Sequence, residues 1–408
     1  MTINKEHKLL LAIFTGAVAG ILCGWFFGQT MLAIAWVGDL FLDALKMTII
    51  PLIVAAVITG VTSLGDVRKL GKVGGFTILY YASTTALAVL IGLILVNIIQ
   101  PGTGTTTLSD SIPEHVSSLE STGFTSIIRS LITPNLFASA VELELLPIII
   151  FCLLFAAALT TVGDKGKPVI NFFDGLNDVM MKLVIWIMYF APIGIFALIA
   201  AKLGATGGGE AFLEEIRKIF LYIVTIIIGL SIHFCMLFGI LLVFSNKGRD
   251  YLITMLRALL TAFGTASSSA TLPLTMECAI EGNVDKRSVK FVLPLGATVN
   301  MDGTALYEAV AVMFIAQAYS YSMGISDQII IFITATLAAI GAAGIPQAGL
   351  ITMVIVLTAV NLPLEGIGML LAVDWFLDRI RTTVNVWGDS VGAAVIEKYL
   401  PESPVIEH

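Results

Sequence analysis

Charge is scarce in this sequence. Of 408 residues, 12% are Asp, Glu, Lys or Arg, against about 25% in soluble domains, which excludes an ordinary water-soluble globule. No basic tract occurs and the formal net charge is −7, so electrostatic capture of nucleic acid is excluded too. Cysteine is rare: Cys23, Cys152, Cys235 and Cys278 show neither a CxxC pair nor His/Cys ligand spacing, leaving no disulfide framework and no zinc site. No long polar linker divides the chain, so residues 1–408 read as one membrane unit. Met1 to Lys8 lead into an apolar run without a cleavage-site pattern and are read as the approach to a first span. The parts of an intramembrane hydrolase are missing as well. There is no Gly-x-Gly-Asp motif, and His233, the one histidine inside an apolar run, has no sequence link to a serine. The reading is not an enzyme, with no organic cofactor.

What is present is hydrophobicity: 57% apolar residues and a mean hydropathy of +0.97, the profile of an all-α integral membrane protein. Spans of about 20 residues or more are expected at 9–35, 38–64, 74–99, 124–162 (broken at Pro134 and near Pro147), 168–202, 212–245, 288–321 and 362–397. Two other apolar stretches, about 250–282 and 328–360, run into Gly/Ser/Pro-rich centres: Gly264-Thr-Ala-Ser267-Ser268-Ser269-Ala-Thr-Leu-Pro273 and Gly341-Ala-Ala-Gly344-Ile345-Pro346-Gln347-Ala348-Gly349. Such centres cannot hold helical hydrogen bonds in lipid and survive only under cover of protein or water. They are expected to be the tips of two re-entrant helical hairpins, which mark a transporter's binding site.

The positive-inside rule orients the chain. Lys5 and Lys8, Arg68 to Lys72, Lys165 with Lys167, Lys247 with Arg249, and Lys286, Arg287 and Lys290 would be cytoplasmic. Segments 100–123, 319–328 and 361–366 carry no Lys or Arg and would be external. Eight spans with one hairpin from each side fit, both termini inside; only Lys202, Arg217 and Lys218 dissent.

The last expected span carries the densest polar motif. On a helix, Asp374, Asp378, Arg381, Thr382, Asn385 and Asp389 share one stripe about 100° wide, with Arg379 outside it. Each charge at mid-membrane costs about 2.5–3.5 kcal/mol, so partners or ligands must offset it. An Asp378–Arg381 pair at i,i+3 explains two charges. A ligand reading uses all of them: the arginine fork suits a carboxylate, an aspartate suits an ammonium, and Thr382 and Asn385 add neutral hydrogen bonds.

Asn300-Met301-Asp302-Gly303-Thr304 falls inside the seventh span, where such poor helix formers would interrupt the helix and free carbonyls. With Asp302 and Asp389 as anions, these hard oxygens suit a desolvated sodium ion. Glu308 follows in an apolar helix; a buried carboxyl without a fixed cation tends to carry a proton. The serines of the first tip and the hydroxyls of Tyr81, Thr84 and Thr85 are weaker signals, since hydroxyls at helical spacing often bond back to their own carbonyls.

With these motifs in this order over essentially the whole chain, the sequence resembles the glutamate transporter family, the dicarboxylate/amino acid:cation symporters. The resemblance implies an elevator-type transporter with eight transmembrane helices, two re-entrant hairpins and inverted repeats. It implies a homotrimer in membrane lipid, in which 1–70 and 124–206 form a scaffold with the trimer contacts and 71–123 and 207–402 form the moving transport domain. Carried over by residue, Asp378 would bind the substrate amino group and Arg381 its side-chain carboxylate. Thr382, Asn385, Thr304 and the serines Ser267, Ser268 and Ser269, with backbone of Ile345 and Gly349, would hold the rest. Sodium would use Gly296, Asn300, Asn385 and Asp389 at one site, and Tyr81, Thr84, Thr85, Asn300 and Asp302 at another. A third would use backbone around Thr298, Met301, Ala339, Ile340 and Ala342.

Ala266 before the serines, Arg379 near Arg381, and Glu308 look more like the animal excitatory amino acid transporters than the archaeal aspartate transporters. Glu308 matches the position that couples a proton in the animal members, and potassium is the counter-ion the likeness implies. The short, charge-poor segment 100–123 and short termini look bacterial, which implies an inner-membrane protein. The function expected is uptake of L-glutamate or L-aspartate with Na+ and H+. The alternatives are a C4-dicarboxylate:cation symporter, whose substrate would meet Asp378 without an ammonium group, and a proton-only glutamate symporter. Arg381 argues against a neutral amino acid exchanger. One methylene, worth about 1–3 kcal/mol, does not separate glutamate from aspartate here.

Overall fold

A computed structural model of the chain describes residues 5–62, 71–103, 132–141, 145–205, 209–341 and 348–400. Every regular element among them is helical. In chain order these are α1 (Lys5–Phe27), α2 (Ala35–Thr62), α3 (Gly71–Ile99), the short α4 (Leu136–Val141), α5 (Leu145–Thr161), α6 (Lys167–Met188), α7 (Ala191–Ala205) and α8 (Gly209–Phe244). There follow α9 (Arg249–Thr265), α10 (Ser268–Glu281), α11 (Lys286–Val299), α12 (Asp302–Ala318), α13 (Ile325–Gly341), α14 (Ala348–Ala359) and α15 (Ile367–Ile396). By length and composition, Leu11–Phe41, Val73–Ile99, Ile216–Phe244 and Lys286–Ala318 can cross a membrane, and the bent pair Gly163–Ile187 and Ala191–Ala205 makes a fifth candidate. The shorter apolar helices Ile50–Thr62, Ile150–Thr161 and Ile325–Ala339 stand beside them.

The span expected at 168–202 is divided. α6 and α7 meet at Tyr189 and Phe190 with a bend of 56°. Pro192 sits in the first turn of α7, where its missing N–H and fixed φ are tolerated, whereas inside a continuous helix it would have cost about 3 kcal/mol. The break at residues 300–301 was expected, and there Asn300 and Met301 leave helical geometry with ψ of 89° and 63°.

The helices pack in two sets. In the first, α1 lies along α7, and α2 lies against α5, α6 and α7. The α1–α7 contact is close because glycines recur every fourth residue. A Cβ at Gly16 would stand 2.4 Å from the Pro192 carbonyl oxygen and one at Gly20 2.9 Å from that of Phe196, the small-residue packing by which helix backbones approach in lipid. Large apolar side chains of this set, among them Trp25, Phe26, Trp36, Leu40, Phe172 and Trp186, face outward. In the second set, α3, α8, α11, α13, α14 and α15 pack around α12 or against one another, and α9 and α10 pair and lie on α15.

From Asp302 to Ala318, α12 is buried at every residue except Gln317. A helix apolar all round belongs at the centre of a bundle, and any polar group it carries must find partners there. Most hydroxyls elsewhere solve this locally. Thr77, Thr225, Thr334, Thr358 and Thr383 each donate to the carbonyl four residues back, the usual resort of Ser and Thr in apolar helices.

Candidate functional site

Several elements meet around the polar seam of α15. α12 is its central neighbour, α3, α8, α11 and α14 contribute from around it, and α9 and α10, the first expected hairpin, pack on it. Between α9 and α10 only Ala266 and Ser267 are non-helical. Ala266 takes left-handed φ of 50°, and Ser267 caps α10 by accepting a 3.1 Å bond from the Ala270 N–H. Ser267 and Ser268 are buried, whereas Ser269 is exposed. The corresponding tip between α13 and α14, including Ala342 and Ile345, lies outside the described residues, as does the side chain of Ile340.

At one end of the seam, Arg381 is fully buried. Its Nη2 donates to Asp374 Oδ1 at 2.9 Å and to Asp378 Oδ1 at 2.8 Å. The guanidinium lies over the Tyr307 ring, 3.8 Å from its centroid, a desolvated cation–π contact worth about 2 kcal/mol. Nε and Nη1 have no hydrogen-bond partner among the described residues. Nη1 faces the start of α14, where a Cβ on Gly349 would stand 2.3 Å away; only glycine lets that backbone come so close. The i,i+3 ion pair is therefore present, yet Nη1 stays open toward the α14 backbone and Nε also lacks a hydrogen-bond partner among the described residues.

Midway, Asn385 turns to the first residues of α12. Its Oδ1 accepts from the Gly303 N–H at 2.8 Å and its Nδ2 donates to Thr304 Oγ1 at 3.3 Å. Thr382 is buried on the same stripe.

At the other end, Asp302 and Asp389 are buried among neutral donors. Asp302 Oδ1 accepts from Thr85 Oγ1 at 2.8 Å and Thr84 Oγ1 at 3.3 Å, both hydroxyls also lying within 3.5 Å of Asn300 Oδ1. Thr85 thus departs from the back-bonding of the other hydroxyls, while Thr84 divides its bond with the Tyr81 carbonyl. Asn300 Nδ2 donates to Asp389 Oδ1 at 3.0 Å. A Cβ on Gly296 would meet that same oxygen at 2.3 Å and the Tyr81 hydroxyl at 2.6 Å, so glycine opens α11 to the carboxylate. Tyr81 donates through its hydroxyl to Val292 O at 2.7 Å, beside Gly296, while its own carbonyl accepts from Thr84 Oγ1 at 3.3 Å. Thr298 bonds locally to Leu295 O, Met301 is buried at the non-helical break between α11 and α12, and Ala339 is buried on α13, which contacts α11.

Carboxylate, amide and hydroxyl oxygens are the donor set of a hard monovalent cation. They fit sodium because the two anions have no Lys or Arg among their bonded partners. Five buried carboxyls in the described chain (Asp302, Glu308, Asp374, Asp378, Asp389) face two buried basic side chains, Arg381 and Lys218. Glu308 has no hydrogen-bond partner for either oxygen among the described residues, with Thr352 and Arg381 as its polar neighbours.

Three contacts escaped the sequence reading, although Arg379 and His233 were themselves noticed there. Tyr307 looked like one more apolar residue of α12, and nothing in the sequence marks it as the floor under Arg381. Arg379, off the stripe, donates through Nη1 to the carbonyls of Phe263 and Gly264, the unsatisfied end of α9; an arginine opposite a helix C-terminus was the available signal. His233, 69 residues away in sequence, brings Nε2 to 3.0 Å from Asp302 Oδ2.

The sequence matches the model of the sodium:dicarboxylate symporter family over residues 9–399. It is 40% identical over 462 aligned residues to excitatory amino acid transporter 3 of Mus musculus, covering 97% of this chain and 86% of that protein. It is 39% identical to excitatory amino acid transporter 1 of Ambystoma tigrinum, over 88% of this chain and 76% of the relative. A putative sodium-dependent excitatory amino acid transporter, glt-4, of Caenorhabditis elegans is 38% identical over 97% and 90%. With the motifs, the buried seam and these relatives in agreement, the chain belongs to the sodium:dicarboxylate symporter family.

Proposed function

We propose that this protein takes up acidic amino acids, L-glutamate or L-aspartate, in symport with sodium. The observation that carries the reading is the division of the α15 seam into an arginine–carboxylate end and a carboxylate end without lysine or arginine. An acidic amino acid brings an ammonium for Asp378 and a carboxylate for Arg381, and so replaces the internal ion pair charge for charge. A C4-dicarboxylate would take Arg381 and leave Asp378 buried and unpaired, at several kcal/mol. In this reading Ser268, Thr304, Thr382 and Asn385, all buried, with the backbone at Gly349, would hold the α-carboxylate and neutral atoms. Sodium would enter at the Asp302 and Asp389 clusters and offset their charge. Their ligands also hold the 300–304 break and Asn385, so ion and substrate binding organise the same backbone.

Glu308 is the proton carrier in this reading and potassium the counter-ion. The two packing sets support a scaffold (α1, α2, α5, α6, α7) and a moving unit (α3 and α8 to α15), with the paired arms α9–α10 and α13–α14 as gates. The outward apolar faces of α1, α2 and α6 support lipid contact and a homotrimer. Short cytoplasmic-type basic loops support an inner-membrane location with both termini inside.

The test is uptake of labelled L-glutamate and L-aspartate into proteoliposomes, with the sodium and pH gradients varied independently. Sodium-dependent uptake competed by both acids, and not by succinate or alanine, is the expected result. Sodium-independent uptake would sink the ion assignment, and preference for succinate would sink the role of Asp378.

A further inference from the structure

Asp302 presents its two oxygens to different surroundings. Oδ1 faces Thr84, Thr85 and Asn300, the oxygen cluster assigned above to a cation. Oδ2 faces away, between His233 Nε2 at 3.0 Å and the backbone of Gly388, where an added Cβ would stand 3.2 Å from it. The torsion that would exchange these oxygens is a soft sp³–sp² rotation with two nearly equivalent wells. Two hydroxyls on Oδ1 cannot hold it, because both would turn to a cation. His233 can. Its ring is fully buried, and the neighbouring residue Phe234 anchors α8 to α15 by stacking on Trp387 and accepting from its Nε1 at 3.3 Å. His233 Nδ1 has no hydrogen-bond partner among the described residues, so the ring's polar contact there is the one Nε2 makes with Asp302.

We propose that His233 is a positioning residue for cation binding: as the Nε2–H tautomer it ties off Asp302 Oδ2 and thereby keeps Oδ1 aimed at the cation cluster. Outer partners of this kind typically carry tenfold to hundredfold in metal affinity. The inference rests on Asp302 being a sodium ligand, and its test separates the two. Thermal melting of the purified full-length protein is followed against sodium chloride at constant ionic strength, with choline as the balancing ion, for wild type, His233→Gln, His233→Leu, His233→Asn and Asp302→Asn.

Gln places an amide N–H near the Nε2 position, Leu offers no donor, and the donor of Asn falls short. The expected result is a half-saturating sodium concentration raised about tenfold in His233→Leu and His233→Asn and near wild type in His233→Gln. A purely structural role would instead lower the melting temperature of all three at every sodium concentration and leave the half-saturating value alone, which would overturn the proposal. So would a Gln variant as impaired as Leu. If His233→Leu gives no melting transition, the Asn–Gln pair decides. If Asp302→Asn keeps the wild-type sodium response, the ligand assignment itself is wrong and the positioning role goes with it; loss of the response in Asp302→Asn together with normal His233 variants overturns the positioning role alone.

Discussion

At one end of the α15 seam Arg381 sits between two carboxylates of its own helix; at the other, Asp389 and Asp302 are held by an amide, two hydroxyls and an imidazole. Both ends are buried in the same bundle. The first shares one guanidinium between two carboxylates and has open donors for a ligand that carries both signs. The second surrounds its carboxyls with an amide, hydroxyls and one imidazole and no lysine or arginine, so in their ionised form they would carry a desolvation cost of several kcal/mol each that a bound cation would offset. On the proposed function, the difference would let a substrate and sodium bind to one helix while sharing only Asn385 of its side chains. It also explains why their binding should be coupled, since Asn385 and the residue 300–304 break lie between the two ends and touch both.

The largest break in that comparison is Arg381→Ala. It strands Asp374 and Asp378 in the bundle, at about 3–5 kcal/mol for a broken buried pair. Proteoliposomes should show no uptake of either acid, and the purified protein should melt at a lower temperature. Arg381→Lys should not restore uptake, because an ammonium cannot serve two carboxylates and lie flat on Tyr307 as the planar group does. Next in size is Asp389→Asn. One fewer anion at the other end should push the half-saturating sodium concentration for uptake far above the wild-type value. Binding of substrate at saturating sodium, measured by isothermal calorimetry, should survive. If Asp389→Asn abolished substrate binding at every sodium concentration, the two ends would not be separate sites.

Sequence alone carried much of this. The stripe on α15, the break after Val299 and the two apolar stretches with polar centres follow from period, propensity and the cost of charge in lipid, all local properties. What stayed hidden was cross-chain partnership. His233 and Asp302 are far apart in sequence, and a lone histidine on an apolar helix gives no direction. Tyr307 is indistinguishable from core until Arg381 lies on it. The 56° bend at Pro192 was readable from the proline, but the long apolar run around it looked continuous. The grouping of Tyr81 with Thr84 and Thr85 came from the family resemblance; that the phenol also lies beside Gly296 on α11 is a cross-chain contact the sequence does not show.

Glu308 sharpens the comparison from a third position, since it belongs to neither end. With Thr352 and Arg381 as its polar neighbours, its ionised form would add an anion beside an arginine already shared by two carboxylates. Raising pH removes the proton and favours that form, so wild-type uptake should fall as pH rises. Glu308→Gln, which mimics the protonated group, should keep sodium-driven uptake and lose its response to an imposed pH gradient. A pH response that persists in Glu308→Gln would assign proton coupling elsewhere.

The smallest effect tests the distinction between hydroxyls that the sequence could not draw. Thr85 donates 2.8 Å across to Asp302, whereas Thr383 donates 2.9 Å back to the Arg379 carbonyl of its own helix. A valine at either position keeps the β-branch and removes the hydroxyl. At position 383 it removes a bond whose carbonyl keeps its place in the helix, so neither sodium dependence nor substrate affinity should move. At position 85 it removes a donor to a buried carboxylate, worth about 1.5–3 kcal/mol, and one oxygen of the cation cluster. The half-saturating sodium concentration should rise by about tenfold or more on that scale, with substrate affinity at saturating sodium unchanged. Equal behaviour of Thr85→Val and Thr383→Val would mean that the Asp302 cluster is an internal hydrogen-bond network of the bundle, and the negative end of the seam would then reduce to Asp389.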